Sequence, residues 1–141
     1  MDLQLIIGGA YSGKRKYVRD RYLNYHLISA YNHDSIDEAL SINKPVVVLE
    51  GFEQWIQEEL SRKGSKEIRD LFAGYLHELL KMEREENIQV YLLMLEIGRG
   101  IVPVEERDRK WRDITGWVQQ DAQNLCESVY YSWHGLVKKM K

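Results

Sequence analysis

The sequence has few of the residues that stabilise small extracellular domains or interrupt regular structure. Its 141 residues include one cysteine and two prolines. The lone Cys126 cannot form an internal disulfide and has no Cys or His neighbours at metal-ligand spacing, which excludes a disulfide framework and a cysteine-based zinc site. We therefore expect Cys126 to be buried and chemically neutral.

Long apolar runs and a strong net charge are also missing. No stretch approaches the roughly 18 apolar residues that a membrane-spanning helix needs, and Asp2 with the strand-like Leu3–Ile7 replaces the basic start of a signal peptide. The formal net charge is −2, which argues against a broad surface for nucleic acid. These features predict a cytoplasmic protein with no membrane span and no nucleic-acid partner.

Short apolar segments alternate with longer helical patterns along the chain. The predicted strands are Leu3–Ile7, His26–Ala30, Val46–Glu50, Ile88–Leu95 and Ser128–Trp133. Apolar residues at steps of three and four predict helices over Lys66–Glu86, from near Pro103 onwards, and in a shorter segment from Phe52 to Leu60. This alternation predicts an α/β fold with a mostly parallel sheet flanked by helices, as a single domain over residues 1–141.

The segment after the first predicted strand satisfies the phosphate-loop pattern G-x-x-x-x-G-K. Its residues are Gly8, Gly9, Ala10, Tyr11, Ser12, Gly13 and Lys14. Glycines in this pattern let backbone N–H groups surround phosphate oxygens, while the lysine reaches the outer phosphates. The segment therefore predicts a nucleotide-binding loop in which Lys14 is also a catalytic candidate. The alternative is a glycine-rich turn followed by solvated basic residues.

Two positions that handle magnesium in phosphate-loop enzymes carry other residues here. Arg15 stands where a Ser or Thr hydroxyl would bind the ion. A guanidinium cannot ligate a metal but can donate two hydrogen bonds to phosphate, so Arg15 is a nucleotide-binding candidate unless it points into solvent. Glu50, at the end of the third strand, is a candidate metal ligand and catalytic residue, or alternatively a turn residue. Magnesium binding is thus expected to be possible but weakened.

Two segments resemble the adenosylcobinamide kinase / adenosylcobinamide-phosphate guanylyltransferase family of cobalamin biosynthesis. The segment IIGGAYSGKRKYV is similar to the family's GGARSGKS opening, and EIGRGIVPVEERDRKWRDITGWVQQ to its pattern N-E-V-G-x-G-I-V-P…R-x-F-R-D-x-x-G-x-x-N-Q. In the second segment the matching residues are Glu96, Gly98, Gly100, Ile101, Val102, Pro103, Arg112, Asp113, Gly116 and Gln120, whereas Gln119 replaces the family's Asn. Glu96 and Arg112 are candidate substrate-binding residues, or alternatively a surface ion pair at a loop-to-helix junction.

The resemblance implies a P-loop NTPase-like (RecA-like) fold, ATP or GTP as nucleotide, a possible corrinoid substrate and a homo-oligomer, a trimer in the family. Family members phosphorylate adenosylcobinamide and then transfer GMP through a guanylylated histidine. The basic stretch that carries this histidine is missing here, and His33, near the gap, lacks its arginine neighbours. The resemblance therefore implies a shortened member that at most phosphorylates adenosylcobinamide. The alternatives are a noncatalytic nucleotide- or corrinoid-binding protein or partner subunit, and a phosphate-loop kinase of unrelated small substrates.

Overall fold

A six-stranded sheet forms the centre of the computed structural model, which describes residues 3–97 and 105–141. The strands are β1 Gln4–Gly8, β2 His26–Ser29, β3 Val46–Glu50, β4 Gln89–Leu95, β5 Ser128–Trp133 and β6 Leu136–Lys139. Their order is β2-β3-β4-β1-β5-β6, with parallel pairing except between β5 and β6. The five predicted strands are confirmed to within one residue at each end, whereas β6 was not predicted.

Four α-helices accompany the sheet in the described ranges: α1 Lys14–Arg21, α2 Phe52–Glu59, α3 Ser65–Glu86 and α4 Glu106–Leu125. The helix predicted over Lys66–Glu86 is confirmed as α3. The helix predicted from near Pro103 is α4, and Pro103 itself lies outside the described residues. None of these helices combines the length and apolar character needed to cross a membrane.

The two faces of the sheet bury different kinds of side chain. Leu5, Ile7, Leu49 and Leu92 point to the face covered by α2, α3 and α4, where a continuous aliphatic core forms. Their neighbours along the strands, such as Ile6, point to the opposite face, as the period-two geometry of a strand requires. That face is covered by α1 and is rich in partly buried tyrosines, which are Tyr17, Tyr22, Tyr25 and Tyr130.

The single cysteine lies in the aliphatic core where α4 meets β5. Cys126 is 1% exposed, and its backbone N–H donates to the Ala122 carbonyl at the end of α4. Burial raises the pKa of the Cys126 thiol to about 12. The expectation of a buried thiol is confirmed.

The predicted α/β class, with a mostly parallel sheet flanked by helices, is confirmed by this arrangement. Parallel strands bring their carboxyl ends to one edge of the sheet, which is where ligands bind in open α/β folds. Here that edge carries the loop after β1, Glu50 at the end of β3 and Glu96 directly after β4. The fold therefore brings residues far apart in the chain close to the candidate phosphate loop.

Candidate nucleotide-binding site

The loop between β1 and α1 has a backbone path that side chains would obstruct. A Cβ atom on Gly8 would lie 2.5 Å from the Ser132 carbonyl oxygen and 2.5 Å from Ser12 Oγ. Gly13 has φ +102°, and a Cβ there would also approach Gly135 Cα to 3.1 Å. Glycine at these two positions is therefore a geometric requirement of the loop and of its packing against the β5–β6 turn.

Lys14, the first residue of α1, turns its side chain back over the loop. Its Nζ donates hydrogen bonds to the carbonyl oxygens of Gly8, at 3.0 Å, and Gly9, at 2.7 Å. Burial lowers the Lys14 pKa, while the nearby carboxylates of Glu53 and Glu50 act in the opposite direction. The N–H groups of the first turn of α1 have no carbonyl partners within the helix, as at every helix start. A cation and backbone donors thus lie together at this loop.

Arg15 and Glu50 form a direct ion pair. Arg15 Nε donates to Glu50 Oε1 at 2.6 Å, and Arg15 Nη2 donates to Glu50 Oε2. Ser29 Oγ also donates to Glu50 Oε2, at 2.7 Å. The Glu50 side chain is 6% exposed and that of Arg15 is 53% exposed, so a buried carboxylate holds a half-exposed guanidinium. This hydrogen-bonded pairing raises the Arg15 pKa.

The β5–β6 hairpin contacts the loop from the side opposite to Glu50. Ser132 Oγ donates to the Ser12 carbonyl oxygen at 2.7 Å, and the Gly135 N–H donates to the same oxygen at 2.9 Å. His134 and Gly135 have φ of 47° and 81°, the left-handed pair that suits a two-residue hairpin turn. No motif in the sequence indicated this contact, although the HG dipeptide between two apolar segments is a weak turn signal.

Glu96 lies beside the start of the loop. Its backbone N–H donates to the Gly8 carbonyl oxygen at 2.9 Å, and its Oε2 accepts from the Tyr131 hydroxyl at 2.5 Å. Arg112 is half-buried on α4, where the neighbouring Trp111 donates through Nε1 to the Glu53 carbonyl oxygen at 2.9 Å. The substrate-binding role of Glu96 and Arg112 stays a prediction. Of the residues predicted with them, Gly98, Gly100, Ile101, Val102 and Pro103 lie outside the described part of the chain.

A comparison with models of protein families identifies the family of the chain. The model of the cobinamide kinase / cobinamide phosphate guanyltransferase family matches residues 15–140. The chain belongs to this family. The predicted family membership is thereby confirmed, and the cobinamide kinase family has a P-loop NTPase fold and a role in cobalamin biosynthesis. The match begins at Arg15, so the assignment of Gly8–Lys14 as a phosphate loop depends on its own pattern and geometry. No curated protein matches the chain.

The residues at this loop, as they are arranged, do not fit a magnesium ion. The hydroxyl that would bind it is replaced by Arg15, and both oxygens of Glu50 already accept hydrogen bonds. Across residues 3–97 and 105–141, no group of three His, Cys, Asp or Glu side chains could hold a metal. The predicted role of Glu50 as a metal ligand would require Arg15 to move away, so it stays a prediction and we derive no step through a metal.

A second buried carboxylate lies one helical turn after Glu50, and sequence reasoning missed it. Glu53, in the first turn of α2, is 8% exposed, and its Oε2 accepts from the Tyr31 hydroxyl. Burial, followed by this hydrogen bond to Glu53, raises the Tyr31 pKa. Glu53 Oε1 has no hydrogen-bond partner among the described residues. The sequence signal that could have indicated Glu53 is an acidic residue at the start of a helix, where the helix dipole favours negative charge.

The connection between β2 and β3 bears on the guanyltransferase half of the family's chemistry. Residues 30–45 contain two short 3₁₀ segments, Ala30–Asn32 and Ile36–Ser41, and no α-helix. His33 is exposed and ends the first segment with φ 64°. The loss of the guanyltransferase half-reaction stays a prediction.

Proposed function

We propose that this member of the cobinamide kinase family binds a purine nucleoside triphosphate at Gly8–Lys14 without a divalent cation. The Arg15–Glu50 ion pair is the observation that carries the proposal. The outer phosphates would then receive hydrogen bonds from the Arg15 guanidinium in place of coordination by a metal. The alternative function is an active adenosylcobinamide kinase. It requires phosphoryl transfer to proceed with the Arg15–Glu50 ion pair in place.

The charges at the start of α1 support an anionic ligand. Lys14, Arg15 and Lys16 occupy the first turn, which contains no acidic residue. Cations at an exposed helix N-terminus are each disfavoured by about 0.3–1 kcal/mol. Glu50 compensates Arg15, and Asp20 compensates Lys16 through a 2.6 Å contact, whereas Lys14 hydrogen-bonds only carbonyl oxygens in the pairs above. Lys14, which forms no direct ion pair in these contacts, is the cation of this turn that a polyphosphate would contact.

The ion pair leaves Arg15 able to bind phosphate. A guanidinium has five N–H donors in a planar fork, and Glu50 accepts from Nε and Nη2. The side chain is half-exposed, so its remaining donors are accessible to an anion at the loop. Glu50 thus orients Arg15, and Arg15 contacts the ligand.

Phosphoryl transfer should be slower than in a metal-dependent site. A fixed guanidinium stabilises transferring charge but cannot bridge two phosphates as a metal does. A loss of about 3–5 kcal/mol in transition-state stabilisation corresponds to roughly 10²- to 10⁴-fold in rate. Guanylyl transfer also lacks a histidine in the expected helical setting. These points favour a binding role, as a nucleotide- or corrinoid-binding protein or partner subunit, over efficient catalysis.

Calorimetric titration with ATP and GTP, in magnesium and in EDTA, tests the proposal. We expect affinities that agree within about threefold between the two conditions, because no metal takes part in binding. The Arg15→Ser/Glu50→Asp double variant supplies a metal-binding hydroxyl and removes the Arg15–Glu50 pair, so it should bind at least about tenfold more weakly in EDTA than in magnesium. Loss of binding by the unaltered chain in EDTA would show that a metal displaces Arg15.

A phosphotransfer assay separates the binding role from the kinase. Labelled ATP or GTP is incubated with adenosylcobinamide, magnesium and either the unaltered chain, the double variant or Lys14→Ala. We expect the unaltered chain to give little phosphorylated corrinoid above the Lys14→Ala background. Rapid magnesium-dependent transfer by the unaltered chain would instead establish it as a kinase. The single-domain organisation stays a prediction, and so does the homo-oligomer, whose mass light scattering measures.

A further inference from the structure

The hairpin side of the phosphate loop carries exposed apolar side chains that the proposed function does not use. Trp133, the last residue of β5, is 59% exposed, and its cross-strand partner Leu136 is 70% exposed. Tyr11, in the loop itself, is fully exposed in a left-handed conformation with φ 58°. An exposed indole beside a candidate phosphate site is a natural surface for a flat aromatic ligand.

Hydrogen bonds made by the neighbouring residues place Trp133 close to the loop. It follows Ser132, whose hydroxyl donates to the Ser12 carbonyl, and it precedes by two residues Gly135, whose N–H donates to the same oxygen. The Trp133 ring also packs edge-on against the His134 ring, with 4.7 Å between centroids. Trp133 is therefore the last β5 residue between two hydrogen bonds to the loop, and strand alternation directs its side chain to the face opposite to Ser132 Oγ.

The sheet order gives a direction to a bound polyphosphate. Glu50 and its partner Arg15 lie toward β3, on the same side of β1 as β4, whereas β5 and β6 lie on the other side. Outer phosphates held by Lys14 and Arg15 leave the nucleoside to extend away from Glu50. The first element on that side is the β5–β6 hairpin with its exposed indole.

We propose that Trp133 is the stacking surface for the purine base of the bound nucleotide. This inference depends on the proposed function, because it assigns the second end of the same ligand. A stacking contact uses the π-face that every base has, so it is tolerant of base identity. Trp133 therefore adds affinity for ATP and GTP alike and does not select between them.

The test compares a nucleotide with a ligand that has no base. ATP, GTP and inorganic tripolyphosphate are titrated calorimetrically into the unaltered chain, Trp133→Ala and Trp117→Ala. Trp117 is a matched control, because it is a partly exposed indole on α4 whose ring contacts Arg69 rather than the loop. We expect Trp133→Ala to bind both nucleotides about 5- to 100-fold more weakly and tripolyphosphate unchanged. Trp117→Ala should match the unaltered chain for all three ligands.

A spectroscopic measurement supports the titration without truncating the side chain. Nucleotide should quench the intrinsic tryptophan fluorescence of the unaltered chain and of Trp117→Phe, whereas Trp133→Phe should lose most of this quenching. Tripolyphosphate should quench none of them appreciably.

Each other outcome overturns the assignment in a distinguishable way. Equal nucleotide affinity in Trp133→Ala and the unaltered chain would contradict the stacking role alone. Equal losses of affinity for nucleotide and for tripolyphosphate would show that Trp133 shapes the loop. A change in oligomeric mass without a change in affinity makes the indole a contact between copies of the chain. Failure of the unaltered chain to bind nucleotide and tripolyphosphate alike overturns the proposed function as well.

Discussion

The two sides of the phosphate loop are held in different ways. On the β3 side, the contacts converge on a charged side chain: the Glu50 carboxylate accepts from the Arg15 guanidinium and from the Ser29 hydroxyl. On the β5 side, the hairpin holds the backbone of the loop, through two donors to the Ser12 carbonyl. The first side sets the charge available to a ligand, and the second sets the shape of the loop.

This difference separates chemistry from architecture within one short segment. The two residues that differ from the expected magnesium-binding pattern, Arg15 and Glu50, lie on the charged side and form a complementary pair. The loop backbone keeps its two obligatory glycines, Gly8 and Gly13, packed against the hairpin. The charged side can thus differ from the magnesium-binding pattern while the loop backbone stays in place.

The largest expected effect comes from removing the Lys14 ammonium, which forms no ion pair with a carboxylate in the contacts described above. Lys14→Ala should weaken ATP and GTP binding about 10- to 100-fold, the range for hydrogen bonds that involve a charged group. Calorimetric titration measures the loss. Lys16→Ala is the matched control, since its ammonium is exposed and paired with Asp20, and it should change affinity less than about threefold. Equal losses in the two variants would indicate general attraction to basic charge.

The next effect breaks the hairpin side by steric overlap. Gly8→Ala places a methyl group 2.5 Å from the Ser132 carbonyl oxygen, a backbone atom that cannot easily move away. The variant should therefore lower the free energy of unfolding by about 1–3 kcal/mol. Gly9→Ala is the control, because a Cβ there meets nothing within 4 Å. Urea denaturation measures both. Equal stability of the two variants would contradict the close packing of loop and hairpin.

The smallest effect sharpens the comparison by removing one of the two donors to Ser12. Ser132→Ala should lower the free energy of unfolding by about 0.5–1.5 kcal/mol, the net value of one hydrogen bond. The loss stays small because Gly135 N–H still donates to the same carbonyl oxygen. Urea denaturation again measures it. A loss several times larger would mean that the hairpin attaches through this hydroxyl alone.

Much of the fold could be predicted from sequence because its signals are local. Val46–Glu50 is a continuous apolar segment, and the apolar spacing of Lys66–Glu86 follows the period of a helix, so each element is visible within its own window. The strand β6 escaped prediction because Leu136–Lys139 buries no residue fully. It forms by pairing with β5, and pairing depends on a neighbour rather than on hydrophobicity.

The candidate site was predicted as a set of residues but not as a set of contacts. Arg15 and Glu50 lie 35 positions apart, and sequence reasoning gave them separate ligands, phosphate and metal. Their contact follows from sheet order and from side chains long enough to meet, neither of which is visible in a motif. Glu53 was missed for a related reason, since its burial results from α2 packing and from Tyr31, which lies in a different connection.

The chain's single thiol supplies an unlabelled reporter of motion at the start of β5. Cys126 ends α4 immediately before β5, the strand that leads to Trp133, and its thiol stays protonated and covered. Alkylating reagents react with thiolates, so they can modify it only during moments when the helix end parts from the strand. The rate of alkylation at neutral pH therefore measures how often the helix end separates from the strand. The measurement needs no engineered probe.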